Sequence, residues 1–240
     1  MRTKLIFLPL LIVALGLFVG CQRVGDLPTD KYKPAAHAES GSREKAQDRK
    51  RAGAPDGCSP EFRALFDQAV VEMRGKGDLD VVVVTDPLCW HCRLAHKLLG
   101  EYPKLYGRLR LSFFPRRSFI GSDMAAWIME DAAGSDRLPK LIDFAYEDLQ
   151  QPKSEDLMEA RMIVLAQFTK AFPELLHGTT LDALYLRLQK DHESHVLESV
   201  KLARTAHLPG TPILVAGDTV VLGFGPSVWL KVLEGAQMCR

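Results

Sequence analysis

Apolar residues recur at steps of three and four along the first regular stretch of the chain. In SPEFRALFDQAVVEMRGKG, Ser59 is placed to cap a helix, Pro60 suits its first turn, and the apolar spacing continues to Met73. Gly75 ends the run. The pattern predicts one amphipathic helix that begins at Pro60 and continues through Met73.

A continuous apolar run follows this helix. The stretch DLDVVVVTD has four consecutive valines, which are β-branched, between acidic residues. Such a run is typical of a strand in the middle of a sheet that is covered on both faces. Asp86 and Pro87 end the strand, and CWHCRLAHKLLGEY returns to helical spacing with Leu94, Leu98 and Leu99 on one side. The pattern predicts a central strand that leads directly into a helix.

A second strand and a group of helices are predicted next. The stretch RLRLSFFP predicts a strand from Leu109 to Phe114, paired beside the valine strand. Five further segments have helical spacing and a Ser, Thr or Pro near their start: SDMAAWIMEDAAG, LPKLIDFAYEDLQ, SEDLMEARMIVLAQFTKAF, TTLDALYLRLQKD and SHVLESVKLARTAHL. Their large apolar residues, such as Trp127 and Phe144, are expected to form a core.

The pattern changes again near the end of the chain. Ile213 to Ala216 and Thr219 to Leu222 lie on either side of Gly217 and Asp218, which predicts a β-hairpin. Ser227 then opens a final helix, VWLKVLEGA. Taken with the earlier segments, strands and helices alternate in a way that indicates an α/β fold.

Composition indicates an ordinary globular protein. Of the 240 residues, 47% are hydrophobic and 25% are charged, and the formal net charge is +1. Binding to nucleic acid would need a concentrated basic face, for which this charge balance gives no support. No nucleic-acid partner is expected.

The N-terminus has the features of an export signal. Basic residues precede the apolar run Leu5 to Gly20, whose 16 residues are fewer than the roughly 20 that a membrane-spanning helix needs. Gly20 followed by Cys21 resembles the lipobox of bacterial lipoproteins, although Phe18 stands where that family usually has Leu. The resemblance implies a signal peptide over residues 1–20 and acylation of Cys21. A cleaved soluble form and an uncleaved anchor are the alternatives.

Residues 21–57 have few large apolar side chains and many charged or small ones. Such a segment cannot bury enough surface to offset the entropy of ordering, so it is predicted to be a flexible tether. The folded part is then expected to begin near Cys58. Together with the lipobox, this predicts a domain tethered through lipid to the periplasmic side of a bacterial membrane.

The most reactive motif is the pair Cys89 and Cys92, with His91 between them. The pattern places Cys89 at the N-terminus of a helix, where unpaired N–H groups and the helix dipole stabilise a thiolate. A protonated His91 would add a second stabilising charge and lower the pKa of Cys89 further. A stabilised thiolate makes the disulfide more oxidising. Cys92, one turn into the helix, would be the resolving thiol.

Two other interpretations of this motif remain open. An exported cysteine pair is often a structural disulfide, although so short a loop removes little unfolded-state entropy. A metal site could use Cys89, His91, Cys92 and His96, but no second cysteine or histidine cluster completes a structural zinc site. Attachment of c-type haem needs a histidine where this chain has Arg93.

A strand that ends in CWHC at the start of a helix, with Thr211 and Pro212 much later before ILVAGDTVVLGF, resembles the thioredoxin fold. The resemblance is specifically to the DsbA-type periplasmic thiol:disulfide oxidoreductases and covers about Pro60 to Ala236. It implies a thioredoxin fold with an inserted α-helical domain. The expected parts are 58–115 and 207–240 for the thioredoxin fold, and 116–206 for the insertion.

The resemblance also implies site residues. Cys89 and Cys92 would form the redox-active disulfide, with His91 tuning Cys89 and Trp90 standing where the family usually has proline. Thr211 and Pro212 would lie beside the dithiol and, with Trp90, contact the substrate. An X–Pro bond is otherwise expected to be trans, since only ~5% are cis in folded proteins. The resemblance implies a cis bond here.

The family often has a buried acid beneath the dithiol, and the valine strand offers none. Asp86 is the nearest candidate, although a strand-end turn is the role that its position favours. Cys58 and Cys239 bracket the folded part and are a possible structural disulfide, which would add ~4 kcal/mol in the chain-entropy model. Free thiols or an intermolecular link are the alternatives.

The predicted function is oxidation of cysteine pairs in exported client proteins, with no cofactor and no resident metal. A membrane redox partner would recharge the dithiol. A reductase or isomerase, for example in cytochrome c maturation, is the first alternative. A copper or other metal chaperone that uses the CWHC site is the second.

Overall fold

The computed structural model describes residues 58–236, and the predictions for the signal peptide, the lipobox, the tether, Cys21 and Cys239 lie outside them. The helices and strands, in chain order, are α1 (Pro60–Gln68), β1 (Val71–Arg74), β2 (Asp80–Thr85), α2 (Trp90–Glu101), β3 (Arg108–Phe113), α3 (Ser122–Asp131), α4 (Leu138–Glu147), α5 (Leu157–Ala171), α6 (Leu181–Thr205), β4 (Ile213–Ala216), β5 (Thr219–Leu222) and α7 (Pro226–Gly235). Short 3₁₀ turns span Pro103–Leu105 and Pro173–Leu175.

The valine strand is the centre of the sheet, as predicted. The strand order is β1-β3-β2-β4-β5. β2 is parallel to β3, with Val83 opposite Leu111, and antiparallel to β4, with Val84 opposite Ile213. The predicted hairpin is also confirmed, because β4 pairs antiparallel with β5. All four valines are buried, since helices cover both faces of the sheet.

The prediction that the first helix continues through Met73 is wrong. The helix ends at Gln68, and Val71–Arg74 form β1, an edge strand antiparallel to β3. Val71 is fully buried in this strand, and the Glu72 carboxylate pairs with Arg110 of β3 at 3.1 Å. The apolar residues of so short a segment fit a strand as well as a helix, and pairing with β3 decides in favour of the strand.

The prediction of two separate helices before the hairpin is also wrong. They form one helix, α6, of 25 residues, so four helices rather than five lie between β3 and β4. The supposed break contains neither Gly nor Pro, and its histidines face α3: Nδ1 of His195 lies 2.9 Å from the Glu130 carboxylate and Nε2 of His192 lies 3.4 Å from Asp131. These contacts support a continuous helix. The last helix begins at Pro226, one residue before the predicted Ser227.

Two hydrophobic cores lie on the two faces of the sheet. One contains Val81 and Val83 and joins α2, α7 and the helices α3 to α5, and it includes both Cys89 and Cys92. The other contains Val82 and Val84 and joins α1 to the C-terminal part of α6. The dithiol therefore lies where the sheet meets the helices that follow β3. Each helix of the described region is too short or too polar to cross a lipid bilayer.

Candidate functional site

Cys89 lies at the strand-to-helix junction, as predicted. It is the N-cap of α2, with an extended backbone at φ −76° and ψ 120°. Its N–H donates to the Asp86 carbonyl at 3.0 Å, which closes the turn that Asp86 and Pro87 form after β2. Cys89 and Cys92 are both free thiols and both buried, so little of either sulfur reaches solvent.

The pKa values of the two thiols are shifted in opposite directions. The pKa of Cys89 is lowered to about 5, chiefly by a hydrogen bond from the Cys92 side chain, while burial opposes the shift. The backbone N–H groups of Cys92 and His91 lower this pKa further. The pKa of Cys92 is raised by burial and by the adjacent Cys89. Cys89 is therefore the more acidic thiol of the pair, and Cys92 keeps its proton at neutral pH.

Thr211 and Pro212 lie beside Cys89, because β4 pairs with β2. Sγ of Cys89 lies 3.9 Å from the Thr211 carbonyl oxygen, and the Thr211–Pro212 peptide bond is cis, as the resemblance implied. The Thr211 hydroxyl is buried and has no hydrogen-bond partner among the described residues. It is therefore available to donate to a thiolate at Cys89.

His91 and Trp90 lie on the exposed side of the first turn of α2. The Trp90 side chain is 66% exposed, although it adjoins a buried cysteine. His91 stabilises the Cys89 thiolate through its backbone N–H, and its imidazole is exposed. Tuning of Cys89 by the imidazole remains a prediction.

Arg93, which stands where attachment of c-type haem would need a histidine, has a structural role. Its Nε donates to the Pro87 carbonyl at 2.9 Å, and its Nη2 donates to the Leu149 carbonyl just after α4. A planar guanidinium can hold two carbonyls in this way because its donors form a rigid fork. Arg93 thus ties the turn before Cys89 to the helices that follow β3.

Asp86 is the strand-end turn residue that its position favoured, and it is also fully buried. Its carboxylate accepts hydrogen bonds from Leu88 N–H at 2.9 Å, Arg116 N–H at 2.9 Å and the Ser122 hydroxyl at 3.1 Å. Burial raises the pKa of Asp86 to about 7, and these donors oppose the shift. The acid therefore holds the turn before Cys89 against the loop after β3.

Solved structures with a similar overall fold were found. A thioredoxin-like oxidoreductase from Silicibacter pomeroyi DSS-3 superposes with a TM-score of 0.52 and 22% identity, covering 71% of this chain and 94% of its own. BdbD from Bacillus subtilis, in its oxidised form, gives 0.53 and 18%, with 75% and 95% coverage. The chain has the thioredoxin fold.

A periplasmic thioredoxin-like protein from Salmonella enterica serovar Typhimurium gives a TM-score of 0.51 at 18% identity, with 73% of this chain and 95% of that chain covered. No family model matches the chain, and no curated protein matches it either. At these identities the likeness is one of fold, and it confirms the α/β class and the thioredoxin fold that the sequence predicted.

Within this thioredoxin fold a small cavity lies beneath Cys92. Its volume is about 10 Å³, close to the smallest that holds one water molecule. Its polar lining comes from Cys92, His96, Thr85 and Tyr146, and Val83 of the central strand contributes to its apolar wall. The Thr85 hydroxyl and the Tyr146 phenol are hydrogen-bonded at 2.9 Å. Tyr146 comes from α4, so no local sequence signal could have placed it there.

The sequence indicates His96 only as a possible metal ligand, and the structure gives it other contacts. Its ring stacks on Tyr146, with ring centroids 4.7 Å apart, and its Nε2 lies 3.5 Å from the Asp143 carboxylate. Burial lowers the pKa of His96, and the nearby Asp143 and Glu147 oppose that shift. Across residues 58–236, no three His, Cys, Asp or Glu side chains are arranged to hold a metal ion.

Cys58 is buried against α1 and is disulfide-bonded. Cys239, the partner that the sequence suggested, lies outside the described residues. The pairing of these two cysteines therefore remains a prediction.

Proposed function

We propose that this protein is an exported thiol:disulfide oxidoreductase that oxidises cysteine pairs in other exported proteins. The observation that carries the proposal is the contrast between Cys89, whose pKa is lowered to about 5, and Cys92, whose pKa is raised. One acidic and one protonated thiol at the start of a helix are what dithiol–disulfide exchange requires. A structural disulfide has no need of this asymmetry.

The reaction uses the oxidised form of the pair. A substrate thiolate attacks the Cys89 sulfur, the bond between Cys89 and Cys92 breaks, and its electron pair passes to the Cys92 sulfur, which takes up a proton. The second substrate thiolate then attacks the substrate sulfur of the mixed disulfide and releases Cys89 as a thiolate. The substrate has gained a disulfide, and the protein has accepted two electrons.

The direction of the reaction follows from the stability of the Cys89 thiolate. Every hydrogen bond that stabilises this thiolate stabilises the reduced protein relative to its disulfide. The reduced form is therefore favoured, and the disulfide form tends to take electrons from substrates. A reductase or isomerase would use the same residues with a more stable disulfide.

Substrate binding involves the groups around Cys89. The Thr211 backbone lies beside the sulfur, at 3.9 Å from carbonyl to Sγ, where an extended substrate chain can pair with it. The exposed Trp90 supplies an apolar contact at the rim of the site. Because the thiol itself is buried, substrate cysteines must lie in an extended or locally unfolded segment to reach it.

The predicted export signal and the cysteine chemistry both support a periplasmic location, since disulfides form and persist in oxidising compartments. One protein with a similar fold is described as periplasmic. In this proposal Cys21 carries the lipid anchor, Cys58 and Cys239 form a structural disulfide, and a membrane redox partner reoxidises Cys89 and Cys92.

The reduction potential of the dithiol tests the proposal. The purified protein is equilibrated with glutathione redox buffers, and the thiols are alkylated and counted by mass, with Cys89→Ser and Cys92→Ser variants to assign the signal. A value near ~−120 mV supports disulfide donation, whereas a value near ~−270 mV indicates a reductase. A pair that does not exchange with glutathione at all would refute the proposed activity.

A further inference from the structure

The Cys92 sulfur is almost completely buried, and its proton needs a route to solvent. If the protein exchanges disulfides as proposed above, every cycle adds a proton to Cys92 or removes one, because the thiol is protonated when reduced. A direct exchange with bulk water is blocked, since Cys92 is only 1% exposed. The cavity beneath it is therefore where a proton carrier has to be sought.

Asp86 is one candidate, and its geometry argues against it. Both carboxylate oxygens already accept hydrogen bonds, one from Leu88 and the other from Arg116 and Ser122. All three donors belong to the turn before Cys89 or to the chain after β3. The carboxylate is thus bound within that turn, and it does not line the cavity beneath Cys92.

His96 meets the requirements that Asp86 does not. It lies four residues after Cys92 on α2, so the two Cβ atoms are about 5–6 Å apart on one helix face. Both side chains line the same cavity. On its other side, Nε2 of His96 faces the Asp143 carboxylate at 3.5 Å, and the Asp143 side chain is 63% exposed. The imidazole therefore connects the cavity to the protein surface.

We propose that His96 carries the proton between the Cys92 sulfur and solvent, with Asp143 at the outer end of the route. When Cys92 attacks a mixed disulfide at Cys89, neutral His96 accepts the thiol proton, the new bond between Cys89 and Cys92 forms, and the other thiol leaves as a thiolate. When a substrate opens the disulfide, protonated His96 donates to the departing Cys92 sulfur. In both directions Asp143 and solvent restore the imidazole.

The surroundings of His96 suit this role. The titratable groups that face it are Cys92 on its own helix and Asp143, Tyr146 and Glu147 on α4. The strands that line the cavity contribute only residues that do not titrate: Met73, Val83, Thr85, Leu109 and Leu111. Burial lowers the pKa of His96, so the ring is largely neutral and able to accept a proton at neutral pH.

Rapid mixing of reduced protein with oxidised glutathione tests the proposal. Cys89 attacks glutathione disulfide to give a mixed disulfide, Cys92 resolves it, and acid quenching with mass spectrometry measures how long the mixed disulfide persists. In His96→Gln we expect resolution at pH 7 to slow by about 10²-fold, the lower end of general acid–base effects. The mixed disulfide should then accumulate. His207→Asn, which removes an exposed histidine in a left-handed conformation, is the matched control and should behave as wild type.

The pH profile separates a proton carrier from a packing role. In wild type the resolution rate should rise as His96 loses its proton and then level off, whereas in His96→Gln it should keep rising into the alkaline range. Asp143→Asn leaves the ring in place but removes the charge that favours its protonated form, so the wild-type inflection should move to lower pH. The ultraviolet titration of the Cys89 thiolate should stay unchanged in both variants.

An unchanged resolution rate and pH profile in His96→Gln would overturn the proposal. Slow resolution of the mixed disulfide in Asp86→Asn, together with normal resolution in His96→Gln, would also overturn it. An unfolded His96→Gln leaves Asp143→Asn as the deciding variant, and an unmoved inflection there would also overturn it. Failure of the proposed function is distinct: a pair without exchange chemistry would form no Cys89–Cys92 disulfide from glutathione even in wild type, and a reductase would form one but show a potential near ~−270 mV.

Discussion

The Thr85 hydroxyl lies 2.9 Å from the phenolic oxygen of Tyr146, and this hydrogen bond joins the end of the central strand to α4 directly beneath the dithiol. Both groups are buried, and they are 61 residues apart in the chain. The bond therefore fixes the base of the site through a contact between two distant segments.

Removing one partner of this hydrogen bond should destabilise the fold. In Tyr146→Phe the buried Thr85 hydroxyl loses its partner, which costs about 1–3 kcal/mol in the free energy of unfolding. Thr85→Val should have a similar cost, and the double variant should cost less than the sum. Urea unfolding of wild type, the two single variants and the double variant gives the coupling energy between Thr85 and Tyr146. If the costs of the single variants simply add, the hydrogen bond does not stabilise the fold.

The Thr211 hydroxyl should contribute to the acidity of Cys89. Thr211→Val keeps the shape of the side chain but removes a buried donor beside the thiolate, so the pKa of Cys89 should rise. Because the lost hydrogen bond is to a charged group, we expect the acid dissociation constant of Cys89 to fall about tenfold. Ultraviolet absorbance of the thiolate measures it, and Thr219→Val on β5 is a control away from the sulfur. An identical titration in Thr211→Val would exclude the hydroxyl as a donor.

The stability of the reduced protein should depend on pH through Cys89. Its pKa falls from 9.0 to about 5 on folding, so the folded state binds fewer protons than the unfolded state between these values. The free energy of unfolding of the reduced protein should therefore rise from pH 5 to pH 9, and the gain should disappear below pH 5. The oxidised protein is the control, because its Cys89 does not titrate. Equal slopes for the two forms would contradict a lowered Cys89 pKa.

Asp86→Asn should weaken the turn before Cys89. Whichever way the amide is oriented, its NH₂ group replaces an oxygen that accepts from a backbone N–H, either that of Leu88 or that of Arg116. One buried donor then loses its partner, at a cost of about 1–3 kcal/mol measured by denaturant unfolding. Ser122→Ala removes only the third donor and should cost less. A larger loss in Ser122→Ala than in Asp86→Asn would mean that the carboxylate does not hold the turn.

Local sequence signals were sufficient for the parts of the site that depend on neighbouring residues. Four valines between acids predicted a strand buried on both faces, and the turn after it placed Cys89 at a helix N-terminus. The Gly217-Asp218 turn likewise predicted the hairpin that follows directly after Pro212. In each case the strand, turn and helix lie next to each other in the chain.

Features that depend on distant contacts could not be predicted in this way. β1 is a strand because β3 pairs with it, and α6 is continuous because its central histidines bind carboxylates of α3. The position of Tyr146 over His96 depends on how α4 packs against α2. Arg93 gave no signal either, since the carbonyl of Leu149 is 56 residues away in the chain.

The continuity of α6 has a mechanical consequence. At about 1.5 Å per residue its 25 residues form a rod roughly 37 Å long, without Gly or Pro, whose two halves are embedded in different cores. A rod anchored in this way resists bending, so the two cores should keep a fixed spacing. If the protein exchanges disulfides as proposed, we expect its substrates to differ in how readily their own cysteine loops deform, rather than this protein to bend around them.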